Sequence, residues 1–581
     1  MDHDYRNLIM AIALSGLILL GWQAMFPAPD APQQAVSEAT LPGAAPQPVD
    51  GGVSIPGAPE VAVPNPNSVA VPGQSKAVSV DKLLGASERV LIDSKSVKGS
   101  ISLNGGRIDD VVLKNYNVVL HEEDNKVRVL SPKGQIGSYF AEYGWVGKGF
   151  GVDELPGANT KWQSSGGVLS ETNPITLTWD NGHGLVFSRN IAIDKDYMFT
   201  ITQTVENNSE KPVALNSYAL LSRWGTPDVT GYFILHEGLL GVLDDTLTEI
   251  DYSDLIDTKI SEAPTTGGWV GITDKYWLAA IVPDQKTQVN TRFVHRKDGE
   301  IDKYQADFLG PQLVIQPGSS SASQSRLFAG AKEVLLLDRY TDKEGIARFD
   351  LAVDFGWFYF MTKPIFYALN FFHGALGNFG LGILLLTVMI KLAFFPLANK
   401  SYKAMAKMRE LQPEIKNLQE RYKEDKAQLN QQMMALYKKK GANPAAGCLP
   451  IVIQIPVFFA LYKVLFVTIE MRHAPFYGWI HDLSAPDPTT IFNLFGLIPF
   501  TPPSFLMIGV WPLLMGISMY AQQKLNPQPT DPIQAKVFMF LPIFFTFLLA
   551  PFPAGLVIYW AWNNTLSILQ QWTIMKRMGV K

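Results

Sequence analysis

The feature that most constrains this chain of 581 residues is a series of long apolar runs separated by short polar loops. A run of about 20 apolar residues is long enough to cross the roughly 30 Å hydrocarbon core of a bilayer as a helix. The last two runs are short and are joined by a tight turn at 551–553. We therefore predict an α-helical polytopic membrane protein with six transmembrane helices, at 8–26, 378–398, 448–469, 505–522, 537–550 and 555–571.

The first run has two interpretations, a retained anchor or a cleaved signal peptide. The segment before it carries Asp2 and Asp4 and only one basic residue, Arg6, which is a poor positive region for a signal. We favour an N-terminal transmembrane anchor at 1–26. A tether at 27–75 follows, because 27–73 contains 11 prolines and no lysine or arginine, a composition typical of extended, semi-rigid linkers.

Residues 76–350 are predicted to form a large all-β domain. Two alternating segments at 175–179 and 185–189 flank Asp180-Asn-Gly-His-Gly, which is a hairpin pattern. About 250 residues of such segments favour a sandwich of two sheets, and 332–340 is predicted to leave it as a helix. Cys448 is the only cysteine, so no disulfide within the chain can stabilise this domain.

Residues 351–377 are rich in aromatic side chains and are predicted to form an amphipathic helix at the membrane interface, interrupted at Pro364. A buried domain helix is the alternative. We favour the interfacial position because the first apolar run of the five-helix core, assigned to 378–575, follows at once.

The distribution of basic residues predicts the orientation. The loop at 399–447 carries 11 lysines and arginines, whereas 470–504 carries only Arg472. Since cytoplasmic loops are enriched in basic residues, 399–447 and the short tail at 576–581 are predicted to be cytoplasmic. The N-terminus is then cytoplasmic as well, and 27–377 lies on the opposite, periplasmic side.

The cytoplasmic loop is predicted to form a helical hairpin. Met408, Leu411, Ile415 and Leu418 are spaced three and four residues apart, like the stripe of a coiled coil, and Pro413 should break the first arm. A self-packed pair of solvated helices is one interpretation. The other is a contact surface for ribosomes, nascent chains or lipid headgroups, with these candidate residues: Lys403, Lys407, Arg409, Lys416 and Arg421.

Lys391 lies inside an apolar run, where a charge costs about 2.5–3.5 kcal/mol on insertion scales. Lys463 lies at a similar depth in the next run, but Glu470 is two turns further on the same helix face and is its predicted partner. Lys391 has no acidic residue within reach on its own helix. We therefore predict that Lys391 faces a polar cavity open toward the cytoplasm.

The motifs of common enzymes are absent from the sequence. It contains no phosphate-binding loop, no His-Glu-x-x-His, no Cys-x-x-Cys and no Gly-x-Ser-x-Gly. We expect no enzymatic activity, no cofactor and no metal, and the net charge of −4 gives no indication of a nucleic-acid substrate. The predicted spans contain no aspartate or glutamate, which argues against an ion relay built on carboxylates.

Six segments, in this order, resemble the YidC/Oxa/Alb family of membrane-protein insertases. They cover 350–575 densely and read KLAFFPL (391–397), MAKMRELQP (405–413), QMMALY (432–437), NPAAGCLP (443–450), APFYGWIHDLS (474–484) and FPAGLVIY (552–559). The anchor, tether and outer β domain resemble the Gram-negative form, whose periplasmic domain is a β-supersandwich. The stretch 494–504 looks longer than in well-known relatives.

The resemblance implies a protein of the bacterial inner membrane that inserts and folds other inner-membrane proteins, alone or beside the Sec translocon. It implies a hydrophilic groove holding a cation, arginine in most bacterial relatives and Lys391 here, and a paired aromatic at Tyr559 and Trp560. Polar groups of the spans are further candidates for this groove, although such groups also satisfy one another between helices: Thr387, Gln454, Asn563 and Asn564.

Expected partners are nascent inner-membrane proteins, the Sec translocon, the ribosome and the lipid bilayer. A transporter or channel for an anionic solute, with Lys391 as its site, is the alternative function. A passive scaffold with a ligand-binding outer domain is a third hypothesis.

Overall fold

The computed structural model describes residues 79–577, apart from 121, 152, 230–234, 357, 424, 442–448, 497, 499–506 and 527–531. The predicted anchor at 1–26, the tether at 27–75 and the end of the tail lie outside these residues. The segment 443–448 of the NPAAGCLP motif lies outside them as well.

The outer domain contains two antiparallel sheets, each of nine strands within the described residues. We number the strands in chain order. The first sheet has the spatial order β1 (Arg89–Asp93), β2 (Val97–Ser102), β3 (Arg107–Asn117), β5 (Tyr139–Val146), β10 (Val213–Trp224), β17 (Ile301–Ile315), β16 (Gln288–Asp298) and β13 (Ile260–Thr266), with β4 (Lys126–Leu130) beside β3.

The second sheet contains the hairpin predicted from the Asp180-Asn-Gly-His-Gly turn, which is confirmed. Asn181 Oδ1 accepts from the backbone N–H groups of His183 and Leu185 and so closes the turn. The spatial order is β12 (Thr246–Asp251), β11 (Gly238–Leu243), β14 (Trp269–Thr273), β15 (Trp277–Val282), β18 (Ser319–Ala331), β9 (Met198–Asn207), β8 (Leu185–Ile193), β7 (Ile175–Asp180) and β6 (Gln163–Ser164).

The two sheets are joined by apolar packing and by a few side chains that cross between them. In β8, alternate residues are buried, as expected for a strand with one face on the core. The guanidinium of Arg189 on β8 is buried and donates to the backbone oxygen of Gly106, next to the first sheet. The Tyr139 hydroxyl on β5 donates to the Ile272 oxygen on β14 at 3.0 Å. These contacts confirm the predicted all-β domain of packed sheets.

Short helices accompany the sheets and close the domain. Helix α1 (Val80–Leu84) precedes β1, α2 (Tyr252–Thr258) follows β12, and α3 (Val334–Asp342) follows β18. Beyond α3, a 3₁₀ turn (Phe349–Ala352) places Phe349 edge-on against Trp269 of β14, with ring centroids 5.2 Å apart. This aromatic contact stabilises the end of the outer domain against the second sheet.

Helix α4 (Tyr359–Leu376) occupies the predicted interfacial segment. Pro364 lies inside α4 and does not interrupt it, contrary to our expectation. Proline removes one backbone hydrogen bond, but Ile365, Phe366 and Leu369 are buried, and this packing keeps the helix continuous. The Lys363 ammonium holds α4 to the outer domain through Asp338 and Asp350, each at 2.7 Å.

The remaining helices form the C-terminal part. They are α5 (Phe379–Ala393), α6 (Phe395–Glu410), α7 (Gln412–Arg421), α8 (Lys426–Lys440), α9 (Leu449–Val467), α10 (Val510–Leu525), α11 (Pro532–Leu549) and α12 (Ala554–Arg577). Among the described residues, no single helix is long and apolar enough by itself to cross a membrane. The pair α5 and α6 meets that test together, with a bend of 68° between them.

That bend corrects our prediction of one continuous helix over 378–398. Helix α5 ends at Ala393, and Pro396 lies in the first turn of α6. Proline has no backbone N–H and its ring clashes with the carbonyl of the residue four positions earlier, so it suits the start of a helix and breaks its interior. The bend places Lys391 in the last turn of α5, next to a corner of the chain.

The predicted hairpin is present in α6, α7 and α8. The break between α6 and α7 falls at Leu411, where Pro413 predicted it. Leu411 and Ile415 are buried against Met433 and Leu436 of the opposite arm. The apolar residues that the sequence places three and four positions apart therefore form the contact between the two arms.

Candidate functional site

The ammonium group of Lys391 bonds to neutral oxygens contributed by two other helices. Lys391 Nζ donates to Ser567 Oγ on α12 at 2.7 Å and to Gln454 Oε1 on α9 at 3.5 Å. Gln454 Nε2 in turn donates to Asn563 Oδ1 at 2.7 Å. Within the described residues, no carboxylate pairs with Lys391. Helices α5, α9 and α12 therefore meet at a cation whose charge is solvated by uncharged groups.

Helix α12 supplies most of this polar surface because its polar residues repeat at helical spacing. Tyr559, Asn563, Ser567 and Gln570 are four, four and three residues apart, so they lie on one face. Gln570 Nε2 reaches the backbone oxygen of Lys391 at 3.4 Å. A bond from Trp562 Nε1 to the Leu384 oxygen, at 3.2 Å, fixes α12 against α5.

A cavity of about 50 Å³ lies beside Lys391. One water molecule needs roughly 10–15 Å³ measured in this way, so the cavity has room for several waters or for a small polar side chain. One part of its wall is polar and the other apolar. The lining residues are Thr387, Ile390, Lys391, Phe394, Leu397, Ala398, Tyr402, Gln454, Val457, Tyr559, Asn563 and Gln570.

Five of the seven predicted groove residues line this cavity: Lys391, Thr387, Gln454, Tyr559 and Asn563. The other two point elsewhere. The Trp560 ring packs edge-on against Phe458, with centroids 4.7 Å apart, and Asn564 Nδ2 donates to Ser518 Oγ on α10 at 3.1 Å. The role of all seven residues in a groove stays a prediction.

Sequence reasoning missed three members of the site. Ser567 makes the shortest hydrogen bond to Lys391, and Gln570 and Tyr402 line the cavity. The spacing along α12 from Tyr559 was a signal that could have identified Ser567 and Gln570. Tyr402 had no such signal, because the bend between α5 and α6 brings it to the cavity.

Lys463 behaves differently from Lys391, and its predicted pairing with Glu470 is wrong. Its ammonium lies 2.9 Å from Asp354 Oδ2, in the segment before α4. Glu470 instead accepts from the backbone N–H of Val334 at the start of α3, at 3.0 Å. The pairing failed because α9 ends at Val467 and a 3₁₀ turn (Ile469–Met471) redirects Glu470 toward the outer domain.

Glu470 lies at the joint between the outer domain and the C-terminal helices. Burial, together with the nearby carboxylates of Glu333 and Asp338, raises the pKa of Glu470 to about 7. Its Oε2 atom is buried and has no hydrogen-bond partner among the described residues. The charged form of Glu470 is therefore disfavoured at this joint.

The basic residues of the hairpin that we predicted to contact ribosomes, nascent chains or lipid headgroups lie on its surface. Lys403, Lys407, Lys416 and Arg421 are exposed and Arg409 is half-buried.

Metal sites need several histidine, cysteine, aspartate or glutamate side chains close together. In the part of the chain that the structure describes, no group of three or more such side chains is suited to hold an ion.

Two family models match the chain. A model described as the YidC periplasmic domain matches residues 89–368, and a model described as the 60Kd inner membrane protein matches residues 371–581. The boundary between the two matches falls within α4.

Curated relatives align over essentially the whole chain. The membrane protein insertase YidC of Methylorubrum extorquens (strain PA1) is 52% identical over 603 aligned residues, covering 100% of this chain and 96% of that protein. The protein of the same name from Rickettsia akari (strain Hartford) is 48% identical and covers 99% of this chain and 100% of its own length.

Among solved structures, an active YidC insertase with its first transmembrane domain resolved is similar with a TM-score of 0.34. It is 15% identical and covers 87% of this chain and 94% of its own. A galactose mutarotase related enzyme from Lactobacillus acidophilus is similar with a TM-score of 0.29 and 11% identity, over 42% of this chain.

Proposed function

We propose, from the premise that this chain belongs to the YidC family of membrane protein insertases, that the cavity around Lys391 receives the polar part of a protein being inserted. The protein is an insertase of the inner membrane, and the family is named for insertion rather than for an enzymatic reaction. Its clients are inner-membrane proteins. The step we add is the assignment of Lys391 and its neighbours as the client-binding groove.

The observation that carries this proposal is the set of partners around Lys391. A cation bonded to a hydroxyl and an amide oxygen keeps its attraction for an incoming anion, because no carboxylate among the described residues compensates it. The polar tail of a client, above all an acidic one, would find both a counter-charge and hydrogen-bond partners there. The apolar part of the lining, with Ile390 and Val457, suits the segment that follows the tail.

The client's apolar segment would leave the groove along α5 and α10 into lipid. Both helices present exposed apolar side chains, Met389 and Leu392 on α5 and Ile517 on α10. No nucleotide is needed, because moving roughly 20 apolar residues into hydrocarbon is itself favourable, at about 25 cal/mol per Å² of apolar surface. Lys391 then acts as a transient docking charge.

We further propose the multi-pass arrangement read from the sequence. Six spans would place both termini and the hairpin in the cytoplasm and the outer β domain in the periplasm. The basic surface of the hairpin supports contact with nascent chains, ribosomes or anionic headgroups, and action beside the Sec translocon follows the family resemblance. The transporter hypothesis uses the same cation, but no further observation favours it.

Site-specific photo-crosslinking tests the groove. A photoreactive residue at position 387 or 454 should crosslink to a stalled nascent membrane protein, whereas one at position 564, which faces α10, should crosslink far less. Absence of crosslinks at both groove positions, with retained insertion activity, would contradict the proposed groove. Flux of an anionic solute through proteoliposomes would instead support the transporter.

A further inference from the structure

The loop between α9 and α10 combines an uncharged sequence with an exposed apolar tip. From Pro488 to Gln523, between Asp487 and Lys524, the sequence contains no charged residue. Helix α10 begins only at Val510, so the first part of this stretch lies outside any α-helix among the described residues. Surface loops are normally polar, and a loop without charges needs a different environment.

Within the described part of the loop, the most apolar segment is Ile491–Gly496 together with Ile498, which we call the apolar tip. Four of its large side chains are directed outward. Their exposed fractions are 43% for Phe492, 52% for Leu494, 53% for Phe495 and 45% for Ile498. Contiguous exposed apolar groups mark protein or membrane interaction sites.

Two residues of the apolar tip have a left-handed backbone conformation. Leu494 and Phe495 have φ values of 48° and 59°, in the left-handed region. Bulky residues are genuine outliers there, and glycine or asparagine would adopt the same turn more easily. The sequence has apolar side chains at two positions where the turn alone would favour small polar ones.

The base of the loop is fixed by a buried carboxylate. Asp487 accepts hydrogen bonds from the backbone N–H of Trp511 in the first turn of α10 (2.9 Å), from Thr489 (3.0 Å) and from Trp479 Nε1 (3.1 Å). A side chain at Gly509 would collide with Asp487, whose Cγ lies 2.4 Å from the Cβ position. The polar base next to the apolar tip is therefore tied directly to α10.

The contacts of the connection between α9 and α10 show that the apolar tip lies on the side of the outer β domain. Preceding residues of the same connection contact the outer domain: Arg472 Nη2 donates to the Asn117 oxygen at 2.7 Å. The apolar tip is thus at the end of α10 that faces the β domain. Tyr477 and Trp479, both exposed, lie in the same connection, and aromatic rings of this kind prefer the headgroup level of a bilayer.

We propose that the apolar tip inserts into the lipid leaflet on the side of the β domain and anchors the start of α10 laterally. The occupant is lipid, because the apolar tip continues an uncharged stretch that leads into an apolar helix of an inner-membrane protein. The side chains that enter the acyl chains near the headgroups are Phe492, Leu494, Phe495 and Ile498. Asp487 stays outside the lipid, bonded to the start of α10.

The test uses single cysteines in the full chain with Cys448→Ser, labelled with an environment-sensitive fluorophore. The protein is reconstituted in vesicles of phosphatidylethanolamine and phosphatidylglycerol. Cysteines replace Phe492 and Phe495 in separate variants. Ile543, exposed on α11, is the lipid-facing control, and Val314, exposed on β17, is the water-facing control. Each sample is quenched by iodide and by lipids with a shallow spin label.

We expect the labels at positions 492 and 495 to be protected from iodide like position 543, with quenching several-fold weaker than at position 314, and to be quenched strongly by the shallow spin-labelled lipid. Iodide quenching equal to that at position 314 would overturn the proposal, because the apolar tip would lie in water. Weak quenching by both reagents, or disulfides between copies through position 495, would also overturn it, since protein would then cover the apolar tip. Agreement between the two variants excludes a local misfolding effect, and insertion activity tests the groove separately.

Discussion

Two ion pairs of the outer β domain and the proposed groove between the helices hold their cations in opposite ways. In the β domain, Arg292 pairs with the fully buried carboxylate of Asp307 at 3.0 Å, and the buried Lys303 with Asp298 at 2.6 Å. In the groove, the bonds of Lys391 go to a hydroxyl and an amide. A paired carboxylate compensates the first two cations, whereas Lys391 keeps its field available for a ligand.

Lys463 shows that the depth of a lysine along its helix does not decide whether a carboxylate pairs with it. It lies at a depth similar to that of Lys391 along its own helix, yet Asp354 compensates it. It joins α9 to the segment before α4 and has the structural role of the pairs in the β domain. This contrast supports the proposed binding role of Lys391, whereas Lys463 connects two segments of the chain.

The largest effect should come from breaking a pair in the β domain. Asp307→Ala removes the carboxylate that accepts from Arg292 and from Gln305 Nε2 at 2.6 Å. Removing one partner of a buried pair costs about 3–5 kcal/mol of unfolding free energy. Chemical denaturation of the purified protein should show the loss, with Asp307→Asn as the milder control. An unchanged midpoint for the alanine variant would contradict a folding role for this pair.

The joint between the two regions should respond to pH. Because the pKa of Glu470 is raised to about 7, its contribution to stability is fully present below its ordinary value near 4.5 and is lost as the pH rises through 7. Glu470→Gln should match the native protein near pH 4.5 and exceed it above pH 7, by up to about 3 kcal/mol.

Thermal unfolding in detergent across pH 4.5 to 8 measures this difference. Glu344→Gln, at an exposed carboxylate on the outer domain, is the control and should leave the pH profile unchanged. A Glu470→Gln variant whose midpoint follows the native pH profile would show that this carboxyl is not the titrating group.

Removing the charge in the groove should reduce insertion rather than stability. Lys391→Met should lower insertion of clients with acidic tails by roughly 10- to 150-fold, since hydrogen bonds to charged groups are worth about 1.5–3 kcal/mol. Lys391→Arg should retain activity because it keeps the charge. Protease protection of radiolabelled clients in proteoliposomes measures both variants. Loss of activity in the arginine variant alone would show that charge is not the operative property.

The smallest effect should follow loss of the hydroxyl nearest to Lys391. Ser567→Ala removes one hydrogen bond of 2.7 Å that positions Lys391 but leaves the charge itself in place. Insertion of acidic-tailed clients should therefore fall less than in Lys391→Met, roughly fivefold for about 1 kcal/mol of lost positioning. Thr565→Ala is the matched control, because the Thr565 hydroxyl bonds to the Ala561 oxygen of its own helix. Equal losses in both variants would indicate a general effect on α12 and not positioning of Lys391.

The local sequence pattern was sufficient to predict an element wherever that element depends on residues close together in sequence. The Asp180-Asn-Gly-His-Gly hairpin, the packed arms of α7 and α8 and the break before Pro413 all follow from short-range backbone and side-chain preferences. Pattern failed at Pro364, which stays inside α4 because that helix packs along a buried face.

The sequence by itself determined that a lysine lies in an apolar run without an acidic residue on its own helix, and its motifs determined the family. Tertiary structure alone decided what Lys391 and Lys463 contact. Their partners are remote in sequence, since Ser567 is 176 residues from Lys391 and Asp354 is 109 residues from Lys463. Periodicity along one helix specifies which face a side chain occupies, but the packing of the other helices specifies which atoms meet it.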